Sequence, residues 1–285
     1  MFSKGVMFMM ISTFLFAIMN VFIKLVPNIP AVEIVFFRSL ISLVISAGWL
    51  RASKIDLFGK RENRPLLILR GCSGAIALVS FFYLLQVIPL ATATVLRFLA
   101  PVFTAILGIM IVKEKVKPVQ WLFFAIAFSG IILVQGFDYR ITPLYVLLGL
   151  GASFFSGLAY NFIRKIKTNE DPLVIILYFP LITGPLTGIY SAFHWVQPKG
   201  IEWLYLLCIG LLTQFAQYFM TKSYQMEELS KVSSITYTGI LYALCFGWIF
   251  FDEQFNFMTY LGMGLVMMGV AFNVWYKNRQ AKLLK

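Results

Sequence analysis

Long runs without a single formal charge dominate this chain. Residues 5–23, 118–137, 141–163, 172–198, 203–221, 232–251 and 254–276 contain no Asp, Glu, Lys or Arg, and 71–96 is interrupted only by Pro89. A helix rises 1.5 Å per residue, so about 20 apolar residues cross a hydrocarbon core roughly 30 Å thick. With 60% hydrophobic and 13% charged residues, the chain has about half the charge usual for a water-soluble domain. Adding a span at 31–50 that contains Arg38 and one at 91–112 that contains Arg97 gives ten helices. They are expected at 5–25, 31–50, 66–88, 91–112, 118–136, 142–164, 172–193, 201–222, 231–251 and 255–276. The fold class is therefore all-α, integral and multi-pass. The first span is longer than the apolar part of a signal peptide and lacks a small-residue cleavage site after it, so it is read as retained.

The basic residues fix a direction. With ten spans both termini share one side. The loops on that side hold Lys4, the group Arg51 to Arg64, Lys113 to Lys117, Arg164 to Lys167, Lys222 with Lys231, and Lys277 to Lys285, eighteen basic residues in all. The opposite loops hold three, Lys24, Arg140 and Lys199. Short cytoplasmic loops collect Lys and Arg, so both termini are expected in the cytoplasm and the chain in the plasma (inner) membrane. The formal net charge of +12 belongs to these flanks and to contact with anionic lipid, not to nucleic acid. Cys72, Cys208 and Cys245 show no paired spacing and His194 is the single histidine, so neither a metal nor a cofactor site is expected.

A shift of 139 residues aligns Gly108 with Gly247, Glu114 with Glu253, Leu122 with Leu261 and Gly130 with Gly269, while a shift of 142 aligns Ala17 with Ala159 and Pro30 with Pro172. This divides the chain into 1–137 and 138–285, each with five spans. An odd number forces the second copy to enter the membrane upside down. Lys113, Lys115 and Lys117 become Asp252, Gln254 and Asn256 in the second copy, as expected if that turn moves to the outer face. Such 5+5 inverted repeats are typical of secondary transporters, whose substrate lies between the copies near mid-membrane.

Residues 83–133, YLLQVIPLATATVLRFLAPVFTAILGIMIVKEKVKPVQWLFFAIAFSGIIL, resemble the EamA-type repeat of the drug/metabolite transporter superfamily. The features that carry the likeness are a small-residue turn, then a helix with Pro101 and Gly108, then Glu114 at its end and Gly130 beyond. Residues 222–272 repeat it with Gly247, Glu253 and Gly269, but with Ile240 in place of the proline. The resemblance implies a permease for small molecules such as amino acids, organic acids, nucleotide-derived metabolites or drugs.

An arginine near mid-membrane costs roughly 2.5–3.5 kcal/mol on insertion scales and normally faces a cavity or a partner. Arg97, about six residues into its span, is thus the first substrate-binding candidate. A structural tie to backbone carbonyls or a carboxylate is its alternative role. Arg38 follows by the same reasoning, since Glu33 five positions earlier is not on its helical face. Guanidinium forks suit carboxylate and phosphate. Asn20, Tyr83, Tyr160, Asn161, Gln214, Gln217, Tyr218, Thr236 and Tyr237 are the other polar or aromatic residues placed centrally, as substrate contacts or as interhelical hydrogen bonds. Pro101, Gly108 and Gly247 are expected as helix hinges. For Glu114 and Glu253 a helix-end or lysine-pairing role is preferred over ion coupling. The resulting expectation is alternating-access transport of a small polar metabolite, with a coupling ion or exchanged metabolite as the driving partner. A channel and an integral membrane enzyme are the alternatives; for the enzyme no nucleophile elbow, paired histidines or phosphate loop is visible.

Overall fold

In the computed structural model, residues 4–111, 113, 117–137, 141–166, 170, 172–226 and 238–283 are described. They form α1 (Lys4–Lys24), α2 (Ala31–Ala52), a short 3₁₀ turn (Arg61–Asn63), α3 (Arg64–Val87), α4 (Leu90–Arg97) and α5 (Ala100–Ile111). The order continues with α6 (Pro118–Phe137), α7 (Pro143–Ile166), α8 (Pro172–Phe193), α9 (Glu202–Met226), α10 (Thr238–Phe251) and α11 (Phe257–Leu283). Proline punctuates the starts. Pro118, Pro143 and Pro172 open helices, and Pro30 and Pro89 immediately precede two more. There the fixed φ is already helical and the missing N–H has no intrahelical partner to lose.

Seven helical segments are long and apolar enough to cross a membrane, with α4 and α5 taken together as one. Three shorter apolar helices, 118–134, 238–251 and 257–273, lie at the remaining expected spans. Ten helices thus fit the sequence expectation, and the protein is an integral, multi-pass membrane protein. The surface agrees. Met110 and Phe193 are each 81% exposed, while Ser12, Ser39, Asn20, Thr213 and Gln214 are buried. This distribution, apolar outside and polar within, suits a lipid solvent, where polar groups must find partners inside the protein.

Distant segments pack together. α1 lies on α9, α3 on α7, α2 on α8 and α9, α8 on α3, and α10 on α4 and α1. The α6–α11 pair is the tightest. A Cβ added at Gly130 would stand 2.5 Å from the Gly262 carbonyl oxygen, and one at Gly269 2.6 Å from that of Phe123. Only glycine permits so close a backbone approach, the small-residue packing by which helices associate in lipid. Gln120 closes one end by donating from Nε2 to Asn273 Oδ1 at 2.8 Å.

The fourth span departs from expectation. It is not one continuous helix but two, α4 and α5, parted at Phe98 and Leu99. The sequence supplies a cause, because a proline at position 101 offers no N–H to the carbonyl four residues earlier, that of Arg97. Tighter bonds carry the chain across the gap: the Phe98 N–H donates to Val95 O at 3.1 Å and that of Leu99 to Leu96 O at 3.2 Å. Ser153 Oγ on α7 adds a bond to Leu96 O at 2.6 Å. The α10 helix is described from Thr238 onward, and α11 runs on to Leu283, beyond the expected end at 276.

Candidate functional site

Three arginines from three helices lie near one another inside the bundle. Arg38 of α2 is 5% exposed and stands within electrostatic reach of both Arg97 and Arg70. Its Nε donates to Thr213 Oγ1 of α9 at 3.1 Å, which holds one edge of the guanidinium. Among the described residues neither its Nη1 nor Arg70 Nη1 on α3 has a hydrogen-bond partner. Phe179 of α8 joins the two: the Arg38 Cζ lies 5.3 Å and the Arg70 Cζ 5.1 Å from its ring centre. The two charges are therefore no more than about 10 Å apart. Gly74 makes room for this ring, since a Cβ there would meet it at 2.7 Å. Arg97, last residue of α4, lies 4.8 Å from the Phe81 ring centre and 5.7 Å from that of Phe16.

Aromatic faces of this kind stabilise a cation by roughly 0.5–2 kcal/mol. Two like charges about 10 Å apart repel by roughly 1.7 kcal/mol at an effective dielectric constant of about 20. Among the described residues no carboxylate forms an ion pair with any of the three arginines. Glu33 is turned to other use, accepting from the Val196 N–H at 3.1 Å. The arrangement is a cluster of positive charge with unfilled donors, faced by phenyl rings. At the break in the fourth span the negative C-terminal end of α4 and the positive N-terminal end of α5 lie together, so their dipoles largely offset there.

The other expected residues divide by position. Asn20 is buried on α1, one turn beyond Phe16, and its Oδ1 is unpartnered. Tyr160 is 45% exposed on α7 and lies within electrostatic reach of Arg70; Tyr83 is exposed on α3. Asn161 is fully buried and its amide donates to Thr104 O and Gly157 O, both at 2.9 Å, tying α7 to α5. Gln214 ties α9 to α2, accepting from Ser42 Oγ at 2.7 Å and donating to Ser46 Oγ at 3.1 Å. Gln217 sits on the same helix one turn later, and Tyr218 packs against Trp49 with ring centres 4.6 Å apart and planes tilted by 36°. Thr236, Tyr237 and Glu114 lie outside the described residues, as does the side chain of Pro101; Gly108 is buried within α5.

A second cluster seals the end of the bundle where α1 and α10 finish and α4 begins. Glu253 is 6% exposed. Both its carboxylate oxygens lie 2.8 Å from the Leu90 backbone nitrogen, and Lys24 Nζ is 3.0 Å from Oε1. Lys24 also donates to Ile88 O at 2.7 Å. Gln86 stitches the α1–α2 turn to α3, donating to Val26 O and Ile29 O, each at 2.9 Å. Gly247 does not break its helix; it leaves the space into which Glu253 folds back, because a Cβ would stand 2.5 Å from Glu253 Oε2. Elsewhere, a cavity of about 480 Å³ between α2 and α8, lined by Phe36, Leu40, Pro180, Pro185 and Ile189, is almost wholly apolar and lacks the donors of the arginine cluster.

Sequence reasoning passed over Arg70, Thr213 and the Lys24 pairing. Arg70 was legible in principle: it immediately precedes the uncharged stretch 71–96, but a span started at 66 leaves it a turn from the surface.

The profile of the EamA-like transporter family matches residues 3–135 and again 143–275. The pseudopaline exporter CntI of Pseudomonas aeruginosa (strain UCBPP-PA14) is 31% identical over 271 residues, covering 93% of each chain. Human solute carrier family 35 member G1 is 28% identical, covering 96% of this chain and 80% of its own. The S-adenosylmethionine uptake transporter of Rickettsia prowazekii is 22% identical over 87% of this chain and 84% of its own. A crystal structure 14% identical in sequence superposes with a TM-score of 0.71 over 98% of this chain and 99% of that one, a likeness of fold. This chain belongs to the EamA-like transporter family of the drug/metabolite transporter superfamily, and it is a membrane transporter rather than an enzyme.

Proposed function

We propose that this protein is a secondary transporter that moves a small polar metabolite by alternating access, and that the arginine cluster lines a chamber that opens during the cycle as its substrate site. The observation that carries the reading is the broken span. α4 ends on Arg97 inside the bundle and α5 restarts two residues later, beside two further arginines that have donors to spare. Discontinuous helices of this kind form the ion and substrate sites of many carriers.

The inverted 5+5 arrangement has several supports. Lys113 and Asp252, 139 positions apart, both have positive φ, 58° and 49°, where α5 and α10 have just ended. Under the same shift the Gly130–Gly262 contact becomes the Gly269–Phe123 contact, so the α6–α11 seam maps onto itself. The packing of α1 on α9 corresponds to that of α7 on α3 in the same way. With both termini in the cytoplasm, as the basic loops favour, the Lys24–Glu253–Leu90 cluster closes the outer end. We assign Arg97, Arg38 and Asn20 to substrate, and Asn161, Gln214 and Tyr218 to holding helices together. The relatives' cargoes, pseudopaline and S-adenosylmethionine, are both small molecules. Their opposite directions leave export or import to measurement.

Tracer counterflow in proteoliposomes, across a panel of amino acids, carboxylates, nucleosides and quaternary amines, tests the reading. A carrier gives saturable counterflow that Arg97→Gln abolishes. Non-saturating flux unaffected by trans substrate is the signature of a channel and would overturn it.

A further inference from the structure

We infer that the chamber selects a metabolite carrying at least two anionic oxyacid groups, and that Arg70 is the residue that reads the second charge. The inference rests on the chamber being the transport site, and it narrows what that site accepts.

Charge balance is the starting point. A single carboxylate would satisfy one guanidinium fork and leave the others facing each other across phenyl rings. Arg38 is committed at one edge to Thr213 but keeps Nη1 unpartnered while almost fully buried. Arg70 likewise keeps Nη1 unpartnered. Both guanidinium groups lie against the same ring, Phe179, no more than about 10 Å apart, a separation that one molecule with two anionic groups can span. Arg97 approaches from the end of α4. Buried hydrogen-bond donors without partners are costly, and charged ones more so. A dianion or trianion relieves that cost most completely.

A zwitterion fits less well. Its ammonium group would enter a field of three guanidinium groups, against which the unpartnered acceptors of Asn20 on α1 and of Glu33 and Ser39 on α2 offer one carboxylate oxygen. A cation such as a quaternary amine meets the same repulsion, and the ring faces that would compensate it are already occupied by the guanidinium groups. Carboxylates and phosphates share the oxyacid geometry that forked donors recognise, so either chemistry satisfies the chamber.

The test is ligand binding by the purified full-length protein in lipid nanodiscs. The panel holds size-matched neutral diamides, mono-, di- and tricarboxylates, sugar phosphates, zwitterionic amino acids and quaternary amines. Affinity should rise with anionic charge. Arg70→Gln should weaken multiply charged ligands by about tenfold or more, roughly the loss of one charged hydrogen-bond pair, while changing monoanion affinity by only about two- to threefold. Arg70→Lys, which keeps the charge without the fork, should fall between. If Arg70→Gln fails to fold, the charge series on the native protein and Arg70→Lys still decide. Preference for zwitterions or cations, an unchanged charge preference in both variants, or no response to any anion overturns the inference. Counterflow with the best ligand separates the two readings. Saturable exchange of a neutral or cationic compound sinks the dianion alone; an Arg70-dependent dianion that binds but never exchanges sinks the carrier.

Discussion

Glu253 and Leu90 are 163 positions apart, yet both carboxylate oxygens of the first lie 2.8 Å from the backbone nitrogen of the second. The carboxylate thereby caps α4 at the positive end of its dipole and pairs with Lys24 at 3.0 Å. One side chain thus binds the ends of α1 and α10 to the start of the helix that carries Arg97.

Removing that side chain should loosen the closed end in steps. Glu253→Gln keeps an acceptor for Leu90 but leaves Lys24 unpaired; Glu253→Ala removes both interactions. Breaking a buried pair costs about 3–5 kcal/mol, and this one is 15% and 6% exposed at its two side chains, so the lower end applies to the alanine variant. Thermal unfolding in detergent should rank native above Gln above Ala.

Gly247→Ala should reproduce the loosening without altering a charge. The new methyl would lie 2.5 Å from Glu253 Oε2, so the carboxylate must leave its place. Overpacking of this kind costs about 1–3 kcal/mol. Combined with Glu253→Ala the glycine change should add almost nothing, because its effect acts through the displaced carboxylate. A double-mutant cycle by thermal unfolding checks this.

Thr213→Val should weaken substrate binding more than its distance from the chamber's centre suggests. The threonine hydroxyl orients Arg38 through Nε at 3.1 Å, and a hydrogen bond to a charged group is worth about 1.5–3 kcal/mol. Affinity should fall about tenfold, and Thr213→Ser should recover most of it; a Ser variant as weak as Val would remove the hydroxyl from the account.

Gly130→Val and Gly269→Val should each part α6 from α11. Each introduces side-chain atoms where even a Cβ meets a backbone oxygen at 2.5 or 2.6 Å, at a cost of about 1–3 kcal/mol or more. Reduced yield of monodisperse protein and a lowered unfolding temperature are the expected readouts for both, with alanine milder than valine.

The spans were legible because a bilayer imposes length and polarity together, so charge-free runs marked eight segments and two apolar runs with a single internal arginine completed the ten. Arg38 and Arg97 were legible for the same reason: a charge inside such a run demands a purpose. The break in the fourth span was half legible. Pro101 announced a lost hydrogen bond, but the gap opens upstream at Phe98 and Leu99 because the bond it cannot make reaches back to Arg97. Partner choice was not legible. Nothing local marks Lys24 as the companion of Glu253, or Gln214 as spent on Ser42 and Ser46, since those pairings are decided by which distant helices pack together. Glu114 has the sequence position in the first copy that Glu253 has in the second, so Glu114→Gln should lower the thermal unfolding temperature as is expected of Glu253→Gln.

The inverted pairing of the two halves underlies the whole account, and sidedness labelling tests it most directly. In protein with Cys72, Cys208 and Cys245 replaced, single cysteines at Lys117 and at Gln254 are probed in intact cells with a membrane-impermeant maleimide. The account predicts that Gln254→Cys reacts from outside and Lys117→Cys only after the membrane is breached. Reaction of both from the same side would contradict it.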